Sequence, residues 1–350
     1  MRMELPVCRE PLVDTFFHHE VVLAILQRLP EAQPWIFSSF IQLYGVREFS
    51  WEQPCFIDFF HGYRDAFRGL ELHTNPWLTT WRFPMADVKR HWGGAVPFVI
   101  DRLGRGQYVG LSVRTAEISN YAGSGITGMH NMLVIGVDHA ARQIIAMDHF
   151  RDGKLARAEL PWAQVEASTN YSPQEELGWG NLEGALGFQV VRRSHAGIRD
   201  FSVRQIVADL EAYLLETSLY RGDPYFVFGI ESLKILRDYL VEVLGAPGIE
   251  HSLKPVATVT CHKRMMVARL NYIGMQVCTL PVGLVQEWQA LYREWRIIQR
   301  LIIAYDLTRK PGYLERALQR MDPSIEREYT AVQFLLETLR NVVPERKSGS

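Results

Sequence analysis

Residues 131–147 read NMLVIGVDHAARQIIAM, an apolar run, a short polar segment and a second apolar run. The first run, 131–137, is almost continuously apolar, which is typical of a strand buried in the middle of a sheet. The segment 138–142 has the polar and small residues of a turn, and 143–147 fits the returning strand. These features predict an antiparallel hairpin at the centre of an α+β domain.

Further elements are predicted on both sides of this hairpin. Residues 108–113 (YVGLSV) and 187–191 (GFQVV) fit strands, because they are short, apolar and rich in β-branched residues. Apolar residues at helical spacing predict a helix that begins near His18 and ends at Pro30. A short helix is predicted within 160–167. The first half of the chain is therefore a mixed α and β domain.

The second half of the chain has apolar residues at the 3.6-residue spacing of helices. The helical patterns cover residues 203–214, 230–244, 256–272 and 282–305. Asp322 and Pro323 form an N-cap and first-turn pair, which predicts that one more helix begins there. We therefore predict an α/β domain over residues 1–195 and an all-helical domain over residues 196–345.

Composition and charge exclude several classes of partner. The 350 residues contain 38 Lys and Arg and 39 Asp and Glu, a net charge of −1, which provides no basic surface for nucleic acid or anionic lipid. The apolar runs are far shorter than the ~20 residues that span a bilayer. The N-terminal MRMELP lacks the apolar core of a signal peptide, and the 4 cysteines show no CxxC pair. We expect a cytoplasmic protein with free thiols and with neither a nucleic-acid nor a membrane partner.

Residues 123–128 (GSGITG) have the GxGxxG spacing of loops that bind the pyrophosphate of a dinucleotide. That function requires a helix after the loop, whose N-terminus faces the phosphate. Here the motif leads into the strand predicted from Asn131, so the helix is missing. We interpret the segment as a loop. The hypothesis of a nucleotide-binding enzyme has this loop as its only support.

His130 and Asp148 lie at the same end of the predicted hairpin. His130 opens the first strand and Asp148 ends the second, so their side chains can meet on one face. A carboxylate that orients an imidazole is the base half of a catalytic triad. The alternative is a surface histidine beside a solvated aspartate.

The segments around this pair resemble a known family. They are 106–113 (GQYVGLSV), 130–138 (HNMLVIGVD), 144–148 (IIAMD), 153–155 (GKL) and 160–165 (LPWAQV). They resemble the second half of a papain-like domain of the bacteriocin-processing peptidase type, in particular the acyltransferase family of butirosin biosynthesis and its relatives in nonribosomal peptide gene clusters. The resemblance covers roughly residues 10–190. It implies a papain-like domain with an antiparallel sheet, with His130 as general base and Asp148 as its orienting group.

The resemblance also implies a cysteine at the N-terminus of the first helix, where the helix dipole lowers the pKa of a thiol. The matching segment 13–26 (VDTFFHHEVVLAIL) contains neither Cys nor Ser. Thr15 is its only hydroxyl, and His18 and His19 could act there as a base or a hydrogen-bond donor, or form a surface feature of the helix start. Cys55 is another thiol, whose apolar neighbours are also typical of an inert buried cysteine.

We predict no cofactor and no metal ion. His18, His19, His130, His139 and Asp148 show none of the spacings that place two ligands on one helix face or in one tight turn.

Residues 261–269 (CHKRMMVAR) place Lys263, Arg264 and Arg269 on a helix of the second domain. Such a helix either meets an acidic partner such as a carrier protein or presents a solvated basic face.

Two functions from different classes follow. The first is an acyltransferase or thioesterase-like enzyme of natural-product (nonribosomal peptide or polyketide) biosynthesis. Its partners are an acyl or peptidyl carrier protein and a small-molecule amine or acyl substrate. A thioester is already activated, so a base at His130 suffices without a covalent intermediate.

The second function is a catalytically inactive papain-like scaffold that binds a carrier protein or intermediate. The missing cysteine favours this function, and the His130–Asp148 pair opposes it.

Overall fold

The computed structural model describes residues 1–46, 55–60, 77–150, 155–171, 188–193, 201–215, 226–245 and 253–342. The chain forms two compact units, the first made of Met1–Gln33 and Arg64–Ile198 and the second of Pro34–Tyr63 and Arg199–Ser350. The segment 34–63, which we predicted in the first domain, thus groups with the second unit. Local sequence patterns do not reveal this grouping, because the contacts join residues that are far apart in the sequence. His262 Nε2, for example, lies 2.8 Å from the carbonyl oxygen of Ile41, 221 positions away along the chain.

The strands, numbered along the chain, are β1 (Arg2–Glu4), β2 (Gln42–Val46), β3 (Ile57–Phe60), β4 (Leu78–Phe83), β5 (Tyr108–Arg114), β6 (Met129–Asp138), β7 (Gln143–His149), β8 (Leu155–Pro161), β9 (Phe188–Arg193) and β10 (Phe226–Phe228). The helices are α1 (Phe17–Leu26), α2 (Gln33–Ser38), α3 (Met85–Trp92), α4 (Ala95–Gly104), α5 (Trp162–Ser168), α6 (Val203–Leu214), α7 (Glu231–Gly245), α8 (Lys254–Gln276), α9 (Val282–Thr308) and α10 (Pro311–Arg340).

The first unit is built on a 7-stranded sheet in the order β4-β9-β5-β6-β7-β8, with β1 added to β6. All of its pairings are antiparallel, and the predicted hairpin is confirmed as β6 and β7. One face of the sheet, which carries Met132, Val134, Ile144 and Ala146, packs with residues of α3, α4 and α5 in a single core. Helix α1 contacts β6 and ends at Leu26, before the predicted Pro30. The antiparallel sheet rules out a doubly wound parallel one.

Strand β1 approaches β6 closely at Gly136. A Cβ at this glycine would overlap the carbonyl oxygen of Met3. The pairing of β6 with β7 shifts register between Val134 and Gly136, which is a β-bulge. The glycine therefore lets β1 pair with β6 at residues 136–138, just beyond Val134, where the pairing of β6 with β5 stops.

The glycine-rich segment forms the predicted loop. Gly123, Gly125 and Gly128 have φ angles of 80°, 76° and 82°, and β6 follows directly at Met129. With a strand in place of a helix N-terminus, the loop lacks the anion site of a dinucleotide-binding motif.

The second unit is not all-helical as we predicted. It contains a 3-stranded antiparallel sheet in the order β10-β2-β3 beside helices α6 to α10. Pro323 also lies inside α10 instead of opening it, because that helix already begins at Pro311. A proline inside a helix removes the amide donor for the carbonyl four residues earlier, here that of Gln319.

Helices α8, α9 and α10 have 23, 27 and 30 residues. Every helix in the described part of the chain is either too short or too polar to cross a bilayer.

Helix α4 is capped by a carboxylate from another element. Glu166 Oε2 accepts from the Ala95 amide at 3.1 Å, and Oε1 accepts from the Val96 amide at 2.8 Å. These amides are two of the donors that a helix N-terminus leaves unpaired. Gly94 precedes them, and a Cβ there would lie 2.7 Å from Glu166 Oε2.

We expect Gly94→Ala to lower the free energy of unfolding by about 1 kcal/mol, because its methyl group displaces the capping carboxylate. The φ of Gly94, 163°, is extended backbone that any residue adopts, so the contact with Glu166 is the cause. Urea unfolding measures the loss, which should shrink in a Glu166→Ala background. Gly104→Ala is the matched control, since nothing lies within 4 Å of its added Cβ. Equal losses at the two glycines would contradict the explanation.

Candidate functional site

The ends of β6 and β7 bring His130 and Asp148 together. His130 Nε2 lies 3.1 Å from Asp148 Oδ1, so the hydrogen bond predicted from the hairpin is present. The Asp148 side chain is 2% exposed and the His130 side chain 27% exposed. A buried carboxylate thus holds an imidazole that solvent can reach.

Asp148 is surrounded by hydrogen-bond donors. Its Oδ1 also accepts from the His149 amide at 2.7 Å, and its Oδ2 accepts from the Tyr121 hydroxyl. Burial raises the pKa of Asp148, but the hydrogen bonds with His130 and His149 outweigh it and hold the pKa below that of an ordinary carboxyl group. Burial beside this carboxylate raises the pKa of Tyr121, so the phenol stays protonated as a donor.

The hydrogen bond to Asp148 fixes the role of each His130 nitrogen. An ionised carboxylate accepts only, so Nε2 carries the hydrogen and Nδ1 is the basic nitrogen of the neutral ring. Within the described ranges, Nδ1 has no hydrogen-bond partner. The Tyr121 ring packs beside the imidazole of His130, nearly perpendicular to it, with 5.9 Å between the ring centroids. Such a ring can accept a proton from a bound molecule.

Two further residues border Asp148, and the sequence analysis missed both. His149 Nδ1 lies 3.6 Å from Glu20 Oε2 and 3.7 Å from Asp148 Oδ1. Burial raises the pKa of Glu20 well above that of an ordinary carboxyl group, and the charges of Asp148 and Asp14 raise it further. Glu20 was recognisable as an acidic residue at the edge of the apolar run of α1, and His149 as the direct neighbour of Asp148.

The predicted nucleophile segment lies at the start of α1. Phe16 is the N-cap residue and makes no side-chain capping bond. Its ring stacks on His18 at 5.6 Å, and the His18 and His19 rings are 4.1 Å apart. Thr15 Oγ1 is buried without a hydrogen-bond partner among the residues that the structure covers. Glu20 of α1 lies against His149 beside Asp148, and the catalytic roles of Thr15, His18 and His19 stay predictions.

Cys55 has the features of an inert thiol. It lies in the second unit, is buried, and burial raises its pKa to about 12. Because the thiolate is the nucleophilic form, such a group is almost wholly unreactive near neutral pH.

The predicted basic face on α8 is wrong for Lys263 and Arg269, whereas Arg264 is half-buried. Lys263 and Arg269 are fully buried and therefore neither meet an acidic partner nor face solvent. Arg269 donates to the carbonyl oxygens of Phe37 and Phe40 at 2.9 and 3.1 Å. The interior of the second unit covers these two side chains, which their positions on a predicted helix did not reveal.

Comparison with protein-family models gives no match, and comparison with the curated proteins gives no significant match. The family resemblance rests on the short segments quoted above.

Proposed function

We propose that this chain is an acyl-transfer enzyme that uses His130 as a general base and Asp148 as the group that orients it. The observation that carries the proposal is the 3.1 Å contact between His130 Nε2 and Asp148 Oδ1, with the carboxylate buried and the imidazole accessible. This arrangement leaves Nδ1 of His130 to take a proton from an attacking amine or water.

The proposed substrate is an acyl or peptidyl thioester on a carrier protein, which the resemblance to the butirosin acyltransferase family supports. The amine nitrogen attacks the thioester carbonyl carbon while His130 Nδ1 takes the amine proton. The carbon–sulfur bond then breaks, and the imidazolium returns the proton to the departing thiolate. No thiol of the protein is consumed in this sequence, which suits a helix start without cysteine. With water in place of the amine, the same steps give hydrolysis.

The alternative is a catalytically inactive scaffold that binds the carrier protein or an intermediate. The inert character of Cys55 and the absence of Cys and Ser from residues 13–26 favour it. The accessible His130, already oriented by Asp148, favours the enzyme.

An acyl-transfer assay separates the two functions. The purified chain is incubated with acylated carrier protein and a primary amine, and mass spectrometry follows the carrier protein. We expect the acyl group to leave the carrier faster than in a blank without the chain, and the amide or free acid to appear. Binding of the carrier without any turnover, over a panel of acyl groups, would support the scaffold.

A further inference from the structure

A second cluster of side chains meets at the buried side of Asp148. Glu20, Asp148 and His149 each offer one ligand atom, and these atoms all lie within 4.8 Å of one another. His149 Nδ1 is 3.6 Å from Glu20 Oε2 and 3.7 Å from Asp148 Oδ1. Ligand atoms that surround a tetrahedral ion at 2.0–2.2 Å are about 3.3–3.6 Å apart. The two measured distances are therefore close to those around a single ion.

Glu20 supplies an independent observation. Its side chain is 2% exposed, and its Oε1 atom is buried without a hydrogen-bond partner in the described part of the chain. A buried carboxyl oxygen without a donor is costly, and most such oxygens in folded proteins are paired. Glu20 also lies near two other carboxylates, Asp148 and Asp14. A cation that Glu20 binds through both of its oxygens would supply the bond that Oε1 lacks, and it would place a positive charge among the three carboxyl groups.

We propose that Glu20, Asp148 and His149 bind one divalent transition-metal ion. An imidazole with two carboxylates is a donor set that Zn²⁺ accepts, and three protein ligands leave a further position open. The His149 side chain is 21% exposed, so the ion has a path from solvent. Our prediction of no metal came from spacing along the chain, which does not detect ligands from the start of α1 and the end of β7. This binding proposal does not depend on the proposed acyl transfer.

Zinc binding to the metal-free full chain tests the proposal by isothermal titration calorimetry. We expect one Zn²⁺ to bind the wild type, and Glu20→Gln and His149→Gln each to weaken binding at least about tenfold. Glu117→Gln and His91→Gln are the matched controls, because both residues are exposed in the same unit, and their affinities should equal that of the wild type.

Thermal unfolding shows that the variants are folded and gives a second readout. Zn²⁺ should raise the Tm of the wild type and of both controls, since the ion binds the folded state. It should leave the Tm of Glu20→Gln almost unchanged, although that variant folds without metal at least as well because it removes a buried carboxyl group from beside Asp148 and Asp14. The proposal is overturned if the wild type binds no Zn²⁺ at 100-fold molar excess. It is also overturned if Glu20→Gln and His149→Gln bind as tightly as the controls.

Discussion

Replacement of His130 by alanine is expected to lower the rate of acyl transfer by about 10²- to 10⁴-fold, which is the range that a general base contributes. The reason is that the basic Nδ1 of His130 disappears, and the nearby ring of His149 lies farther from Asp148 Oδ1, at 3.7 Å against 3.1 Å for His130. The side chain is 27% exposed, so its removal leaves no large cavity. The measurement is the rate of acyl loss from an acylated carrier protein.

Cys55→Ala is the paired variant, and it should keep nearly full activity. Its thiol is buried, with a pKa raised to about 12, and contributes almost no thiolate. Complete loss of turnover in a correctly folded Cys55→Ala chain would mean that Cys55 is the nucleophile and that His130 does not define the site. If neither the wild type nor the variants turn over any of many thioesters, the scaffold function is favoured.

Lys263→Met is expected to lower the free energy of unfolding by about 3–5 kcal/mol, because it leaves the charge of Glu328 buried without its partner. Lys263 Nζ lies 2.5 Å from Glu328 Oε1, and both side chains are 0% exposed. The Tyr213 hydroxyl donates to the same oxygen at 2.7 Å. Burial lowers the pKa of Lys263, while the charge of Glu328 and its hydrogen bond act against the shift. Glu328→Leu should therefore also destabilise the chain, through a lysine without a counter-charge.

Urea unfolding of single and double variants measures this coupling. The double variant Lys263→Met/Glu328→Leu should be more stable than either single variant, since it buries no unpaired charge. Arg320→Met is the matched control: it removes a pair with Glu294 at 2.6 Å whose side chains are 45% and 21% exposed. That change should cost no more than about 1 kcal/mol. A similar cost for the buried and the exposed pair would contradict the argument.

The sequence predicts those parts of the fold that depend on neighbours along the chain. The hairpin, the order of apolar runs and most of the long helices have such local signals. Residues 42–46 and 57–60 were missed as strands of the second unit, because their sheet is completed by β10, which is distant in sequence. Pro323 was misread since an Asp-Pro pair looks the same at a helix start and inside a longer helix.

The candidate site was likewise predictable only where its residues are neighbours along the chain. Counting from the turn places His130 beside Asp148, because both lie on one hairpin. Tyr121 reaches Asp148 from a short 3-10 helix and Glu20 from α1, and no spacing rule connects either residue to the hairpin. Lys263 reads as a surface charge, because its partners Glu328 on α10 and Trp295 on α9 are distant in sequence.

The close approach of β1 to Gly136 also bears on self-association. Residues 2–4 pair with residues 136–138 of β6 and occupy backbone donors and acceptors at that part of the sheet. An unpaired strand edge is a template for strands of other molecules, which is a route to aggregation. β1 covers this edge, and its own charged residues, Arg2 and Glu4, discourage further strand addition. These few residues protect the central strand of the first unit from intermolecular β-pairing.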